Sequence, residues 1–196
     1  MVFFLICFLP LSAQRIEVHG IKDLSNNSIA NKAWGVGGAI YMDQWVKKTA
    51  FGVHFDWTTY RPKNKASNHR FNRMTGGVTA YYSLYVTPKI SLLCGAAINY
   101  TNLQHSYIYT IEKVEKEKER LVTVLHKGHF IGVGPYVGVN YDLSKRFGVK
   151  LYVIPTYLIS VGSKSSLPEV KSEYAKGIWI FPLQLGITYK IFSLKE

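Results

Sequence analysis

In the stretch from Ile131 to Asp142, the residues Ile131, Val133, Pro135, Val137, Val139 and Tyr141 share one parity, and Gly132, Gly134, Tyr136, Gly138, Asn140 and Asp142 share the other. Successive side chains of a strand point to opposite faces, so this reads as one strand with a bulky apolar face and a face of small, aromatic and polar groups. After a polar break at Leu143-Ser144-Lys145-Arg146 the alternation resumes. Phe147, Val149, Leu151, Val153, Tyr157, Ile159 and Val161 then oppose Gly148, Lys150, Tyr152, Ile154, Thr156, Leu158 and Ser160. Strands of soluble proteins run about five or six residues, and both of these run further. A soluble sandwich turns bulk inward and leaves Lys, Glu and Thr outside. A barrel in lipid inverts this, with bulk outside and Gly, Tyr and polar groups in a narrow lumen.

The same parity recurs along the chain. Trp34, Val36, Ile40 and Met42 alternate with Gly35, Gly37, Ala39 and Tyr41; Phe51, Val53, Phe55 and Trp57 alternate with Gly52, His54, Asp56 and Thr58. Near the end, Trp179, Phe181, Leu183, Leu185, Ile187, Tyr189 and Ile191 oppose Gln184, Gly186, Thr188 and Lys190. Eight strands are predicted, at 15–23, 33–43, 49–61, 73–86, 89–111, 121–142, 146–162 and 177–192, the first with the weakest pattern. Short connections at DQWVKK, VTPK and DLSKR alternate with long ones at SNNSIANK, RPKNKASNHRFNR, EKVEKEKER and GSKSSLPEVKSEY. The charge-balanced EKVEKEKER run reads as a solvated strand extension or a loop tip. With an even strand number, both termini fall at the short-turn end and all four long loops at the other. The fold class is therefore all-β: a closed antiparallel up-and-down transmembrane barrel.

Composition narrows the setting. The chain has 196 residues, enough for one domain, with a formal net charge of +12, 14 Tyr and 16 Gly. Its mean hydropathy is +0.01, as expected when half of each strand faces a polar interior. Two cysteines, Cys7 and Cys94, provide neither a disulfide framework nor a metal quartet, and no cofactor is expected. The positive charge favours an anionic surface. Nucleic acid is disfavoured because no binding motif accompanies the charge. The N-terminal MVFFLICFLPLSAQR is apolar, too short to span a bilayer, and ends in a small-residue cleavage pattern. Residues 1–13 thus read as a signal peptide, though no Lys or Arg precedes Arg15, and 14–196 as the barrel domain.

The secretion signal, the alternation of short turns and long loops, GVGPYVGVNYDLSKRFGVKLYVIPTY and a last strand PLQLGITYKIF together resemble the small eight-stranded outer-membrane β-barrel proteins of Gram-negative bacteria, of OmpA and OmpX type. The resemblance implies an integral outer-membrane location with long loops extracellular and both termini periplasmic. It also implies recognition by the barrel-assembly machinery through a last strand ending in an aromatic. Phe192 fits that role, although Ser193-Leu194-Lys195-Glu196 follow it.

Parity directs His54, Asp56, Asn99, Tyr136, Asn140, Lys150, Tyr152, Gln184 and Lys190 inward. Eight strands leave an interior that side chains can fill, so these predict a hydrogen-bonded plug in which Asp56 pairs with Lys150 or Lys190. Pro135, Pro155 and Pro182 each remove a ladder donor from one of the last three strands and predict bulges or gaps. They lie about seven to ten residues from the turn end, roughly 18–25 Å up a tilted barrel. A lateral seam there resembles the proline-flanked openings of lipid-handling barrels. Arg61, Lys63, Lys65, Arg70 and Arg73 crowd the second long loop and suit lipopolysaccharide phosphates. Trp45, Trp57, Tyr60, Tyr82 and Tyr85 read as interfacial aromatics, and Cys94 as lipid-facing.

Catalysis finds little support. His126 and His129 fall on opposite faces, and His105-Ser106 near Glu112 cannot make a Ser-His contact without a bulge. The reading is a barrel with a structural or surface-binding role through its loops, not a general pore, acting as a monomer or within an envelope complex. The alternatives are a lipid-modifying enzyme with lateral access at the three prolines and a soluble secreted ligand-binding barrel.

Overall fold

The computed structural model describes residues 14–25, 30–43, 48–62, 69–112, 118–165 and 177–191. The signal-peptide segment, Trp45, Lys63, Lys65 and Phe192 with its tail lie outside them. The strands are β1 (Gln14–Asp23), β2 (Ala30–Asp43), β3 (Thr49–Pro62), β4 (His69–Tyr85), β5 (Ile90–Glu112), β6 (Lys118–Asp142), β7 (Phe147–Val153), β8 (Thr156–Ser165), β9 (Ile178–Ile180) and β10 (Pro182–Lys190). β7 and β8 are halves of one barrel strand, and β9 and β10 of the last. Each barrel strand pairs antiparallel with the next, and β10 pairs with β1. The chain is a closed eight-stranded up-and-down barrel. Closure leaves no sheet edge, so the backbone polar groups of each strand have a neighbouring strand on both sides.

The strands outrun the sequence prediction at the loop end. β4 starts at His69, and β5 and β6 continue until Glu112 faces Lys118, so the ends of the EKVEKEKER run are strand.

The inverted parity is visible as one cross-strand row. Ile16 pairs with Ile40, Ile40 with Val53, Val53 with Val78, Val78 with Ile98, Ile98 with Val133, Val133 with Tyr157, and Tyr157 with Trp179. This row crosses every barrel strand on the outside. Ile40, the most covered of the exposed aliphatics in it, is still 39% accessible, and Val133 is 58%. Bulk that would form the core of a soluble protein is on the perimeter.

Inside, large and small residues interlock. Tyr136 stacks on Tyr81 and on Tyr152 at centroid distances of 4.9 and 4.8 Å, and Tyr41 meets Tyr81 edge-on at 5.5 Å. Gly52 faces Tyr41 across the β2–β3 ladder, and a Cβ there would come within 2.3 Å of the Tyr41 ring. Gly52→Ala is expected to destabilise the barrel by about 1–3 kcal/mol through overpacking, measured as the urea midpoint of its heat-modifiable gel band. Gly20→Ala is the control, because a Cβ at Gly20 meets nothing within 4 Å.

The three prolines interrupt the ladder without shifting its register. Val133 faces Tyr157 and Val137 faces Val153, which sets Pro135 opposite Pro155 with no ladder pairing from Gly134 to Tyr136. Between the last two barrel strands, pairing lapses between Val153↔Leu183 and Thr156↔Ile180. The bulges occur elsewhere, at Asn31/Ala33, His105/Ser106 and His129/Phe130. Pro182 is also buried and faces inward, opposite Asp23, so only Pro135 and Pro155 lie on the outer wall. Side chains replace the lost ladder partners there: the Phe181 N–H donates to Ser25 Oγ at 3.0 Å and to Asp23 Oδ1 at 3.4 Å.

Candidate functional site

β1 carries the largest share of interior charge. Its inward residues are Arg15, Glu17, His19, Ile21 and Asp23, all buried, while Ile16, Val18, Gly20 and Lys22 face out. The Glu17 carboxylate accepts from Lys150 Nζ at 2.5 Å and Tyr152 OH at 2.6 Å, with His19 Nδ1 at 3.0 Å. The other ring nitrogen, Nε2, lies 2.8 Å from Asp56 Oδ1, and Gln184 Nε2 donates to Asp56 Oδ2 at 3.4 Å. A ring with a carboxylate on each nitrogen satisfies both only as the imidazolium. Glu17, Asp56, Lys150 and His19 then form a charge-balanced quartet in a region closed to water, where ionic groups need such pairing. Lys150 Nζ also sits 3.9 Å from the Tyr41 ring centroid, joining the quartet to the tyrosine stack.

A second cluster lies toward the loop end. Asp23 accepts from Arg73 and from Tyr60 OH at 2.8 Å, and Arg73 Nη2 reaches Thr58 Oγ1 at 3.5 Å. This corrects two sequence readings. Arg73 is 2% exposed and faces the interior, so it does not belong to an outward basic patch. Tyr60 is 5% exposed, on the inward parity of β3 opposite the exposed Trp57, and is no interfacial aromatic. Trp57, Tyr82 and Cys94 do face outward, whereas Tyr85 has the inward parity of β4, opposite the buried Ser91, and is exposed only at the strand's turn end. Arg61 lies in β3 and Arg70 is exposed on β4, so both belong to strands and not to a loop.

The other predicted interior residues divide by height. His54 is buried with Nδ1 3.1 Å from Thr79 Oγ1, and Asn99 donates to Thr156 Oγ1 at 3.1 Å. Tyr136 lies in the tyrosine stack. Asn140 is buried near the turn end and donates to Asp142 Oδ1 at 3.1 Å. Lys190 pairs with Asp142 at 3.5 Å and is 28% exposed, so it sits at the rim and never reaches Asp56. Neither predicted partner of Asp56 holds: Lys150 goes to Glu17, and Asp56 goes to His19.

The register shift at His105/Ser106 skips Leu125 on β6, so β5 keeps its alternation: His105, opposite Phe71, is inward, while Ser106, opposite the exposed Arg70, is on the other face and the two side chains do not meet. The His105 ring stacks on Phe71 at 4.0 Å, and Ser106 Oγ accepts from Gln104 at 3.2 Å. The residues missed from sequence are Arg15, Glu17, His19 and Asp23. Their signal is the parity of β1 itself, with Ile16 and Val18 alternating against charge.

No protein-family model matches this chain, and no curated protein matches it. Solved structures do. Neisserial surface protein A superposes with a TM-score of 0.54 at 16% identity, over 91% of this chain and 96% of that one. A major outer membrane protein from Thermus thermophilus gives 0.54 at 10% identity, over 91% and 99%. The attachment invasion locus protein Ail of Yersinia pestis, in complex with the heparin analogue sucrose octasulfate, gives 0.52 at 10% identity, over 91% and 98%. At these identities the likeness is one of fold: the small eight-stranded outer-membrane barrel.

Proposed function

We propose that the protein is an integral outer-membrane barrel that does not conduct, with its long loops outside and both chain ends periplasmic. Its role is to anchor a cationic outer rim that binds anionic partners, lipopolysaccharide phosphates among them, with Arg61, Lys63, Lys65 and Arg70 as candidate contacts. It acts as a monomer or within an envelope complex, and the assembly machinery reads its last strand. The observation that carries this reading is the interior. The Glu17, His19, Asp56 and Lys150 quartet and the tyrosine stack below it leave the cross-section to fully buried side chains. Such a network rigidifies a barrel and obstructs a path for ions. In planar bilayers the purified chain is expected to give no discrete conductance steps above the lipid baseline; regular steps would overturn the proposal.

The lapse in pairing around Pro135 and Pro155 favours a second reading, lateral access for lipid with a lipid-modifying activity. The side chains directly behind it, Tyr136, Ile154 and Thr156, are buried at 0%, 2% and 0% exposure, so an entering acyl chain would have to displace them. On the anchoring reading, Pro155→Ala leaves heat-modifiable folding intact, and the acylation profile of lipid A and phospholipid is the same with or without the protein. A changed profile that Pro155→Ala abolishes would establish the second reading.

A further inference from the structure

On the wall formed by β5, β6 and β8 the apolar belt ends at a line. Ile131 faces Ile159, both outward; next toward the loop end His129 faces Gly162, and then Lys127 faces Lys164. Like charges directly opposite on neighbouring strands repel, and among the described residues neither lysine has an acidic partner. The bulge between His129 and Phe130 opens a recess here, lined by Lys127, His129, Gly162, Ser163 and Lys164. A Cβ at Gly162 would meet nothing within 4 Å, so this side of the recess is open space. Tyr100 OH lies 2.6 Å from His129 Nδ1 and Asn102 Nδ2 lies 3.3 Å from it, which commits that nitrogen and leaves Nε2 for a ligand.

We infer that this recess binds the phosphate of a phosphorylated outer-leaflet lipid, between the ammonium groups of Lys127 and Lys164. Bound phosphate converts the repulsion between the lysines into two charge-assisted contacts. The contiguous apolar residues say why the phosphate is a lipid's: Ile131 and Ile159 continue directly below, where acyl chains attached to it would run. The inference rests on the proposed outer-membrane placement with the loop end outward, and it concerns the barrel wall, apart from the rim of Arg61 and Arg70.

The test inserts the full chain into phosphatidylcholine vesicles with and without diphosphoryl lipid A and counts retained lipid A by native mass spectrometry after mild detergent extraction. Lys127→Gln with Lys164→Gln is expected to weaken lipid A binding about tenfold or more, a loss in the range of hydrogen bonds to charged groups. Lys48→Gln with Lys89→Gln, at the turn end, leaves binding unchanged, and excess inorganic phosphate does not displace the lipid. Equal binding by the Lys127/Lys164 double variant and the parent, or full displacement by inorganic phosphate, overturns the inference alone. Failure of the parent chain to insert into either vesicle overturns the membrane placement with it.

Discussion

Lys150→Met is expected to destabilise the barrel by about 3–5 kcal/mol, the largest effect of any single substitution considered for this molecule. The side chain is fully buried, 2.5 Å from Glu17 and over the face of Tyr41. Met roughly keeps the volume and the apolar stem, so cavity formation contributes little; the loss is electrostatic. Glu17 retains Tyr152 and His19, but the quartet becomes net negative in surroundings that cannot solvate it. Adding Glu17→Gln removes the stranded charge and is expected to restore part of the loss, a coupling that a double-mutant cycle in urea reads directly. Two equal and additive losses would mean that the ion pair contributes nothing and that the buried contact reflects packing alone.

The architecture was legible from sequence because lipid imposes one rule on every strand. Residues of one parity had to be bulky, and the long run through β6 and on into β7 and β8 made that rule easy to read. The lumen partners were harder, since parity tells which side chains enter the interior but not at what height. In a tilted barrel, residues on distant strands meet according to the stagger, so Lys150 reaches Glu17 on β1 and not Asp56 on β3. Lys190, the last residue of β10, is left at the rim. β1 itself was underestimated because its charges, Arg15, Glu17, His19 and Asp23, obscured an alternation whose apolar partners are only Ile16 and Val18. Arg73 was misplaced for a related reason: β4 already begins at His69, so a residue taken for a loop cation is turned into the barrel. Bulges are the remaining blind spot. The shifts at His105/Ser106 and His129/Phe130 leave no mark in composition, yet one leaves Leu125 of β6 unpaired and the other opens the recess beside Lys127.

Val133→Arg is expected to cost about 2–4 kcal/mol in bilayers, the range for a cationic residue on the lipid face near the membrane midplane. Val133 is a decisive position because it is exposed, lies within the apolar row between Ile98 and Tyr157, and has glycine on either side in sequence, so no packed core is disturbed. On the outside of a water-soluble barrel the same change would stay within about 0.5 kcal/mol. Lys127→Leu, three outward positions along the same strand, makes the opposite exchange beyond the end of the belt and is expected to leave unfolding free energy nearly unchanged. The pair separates two reasons why bulk can be found on an exterior. If hydrocarbon covers the row through Val133, cost depends on height along β6; if water covers it, both substitutions are neutral and the apolar perimeter would need a protein partner to hide it.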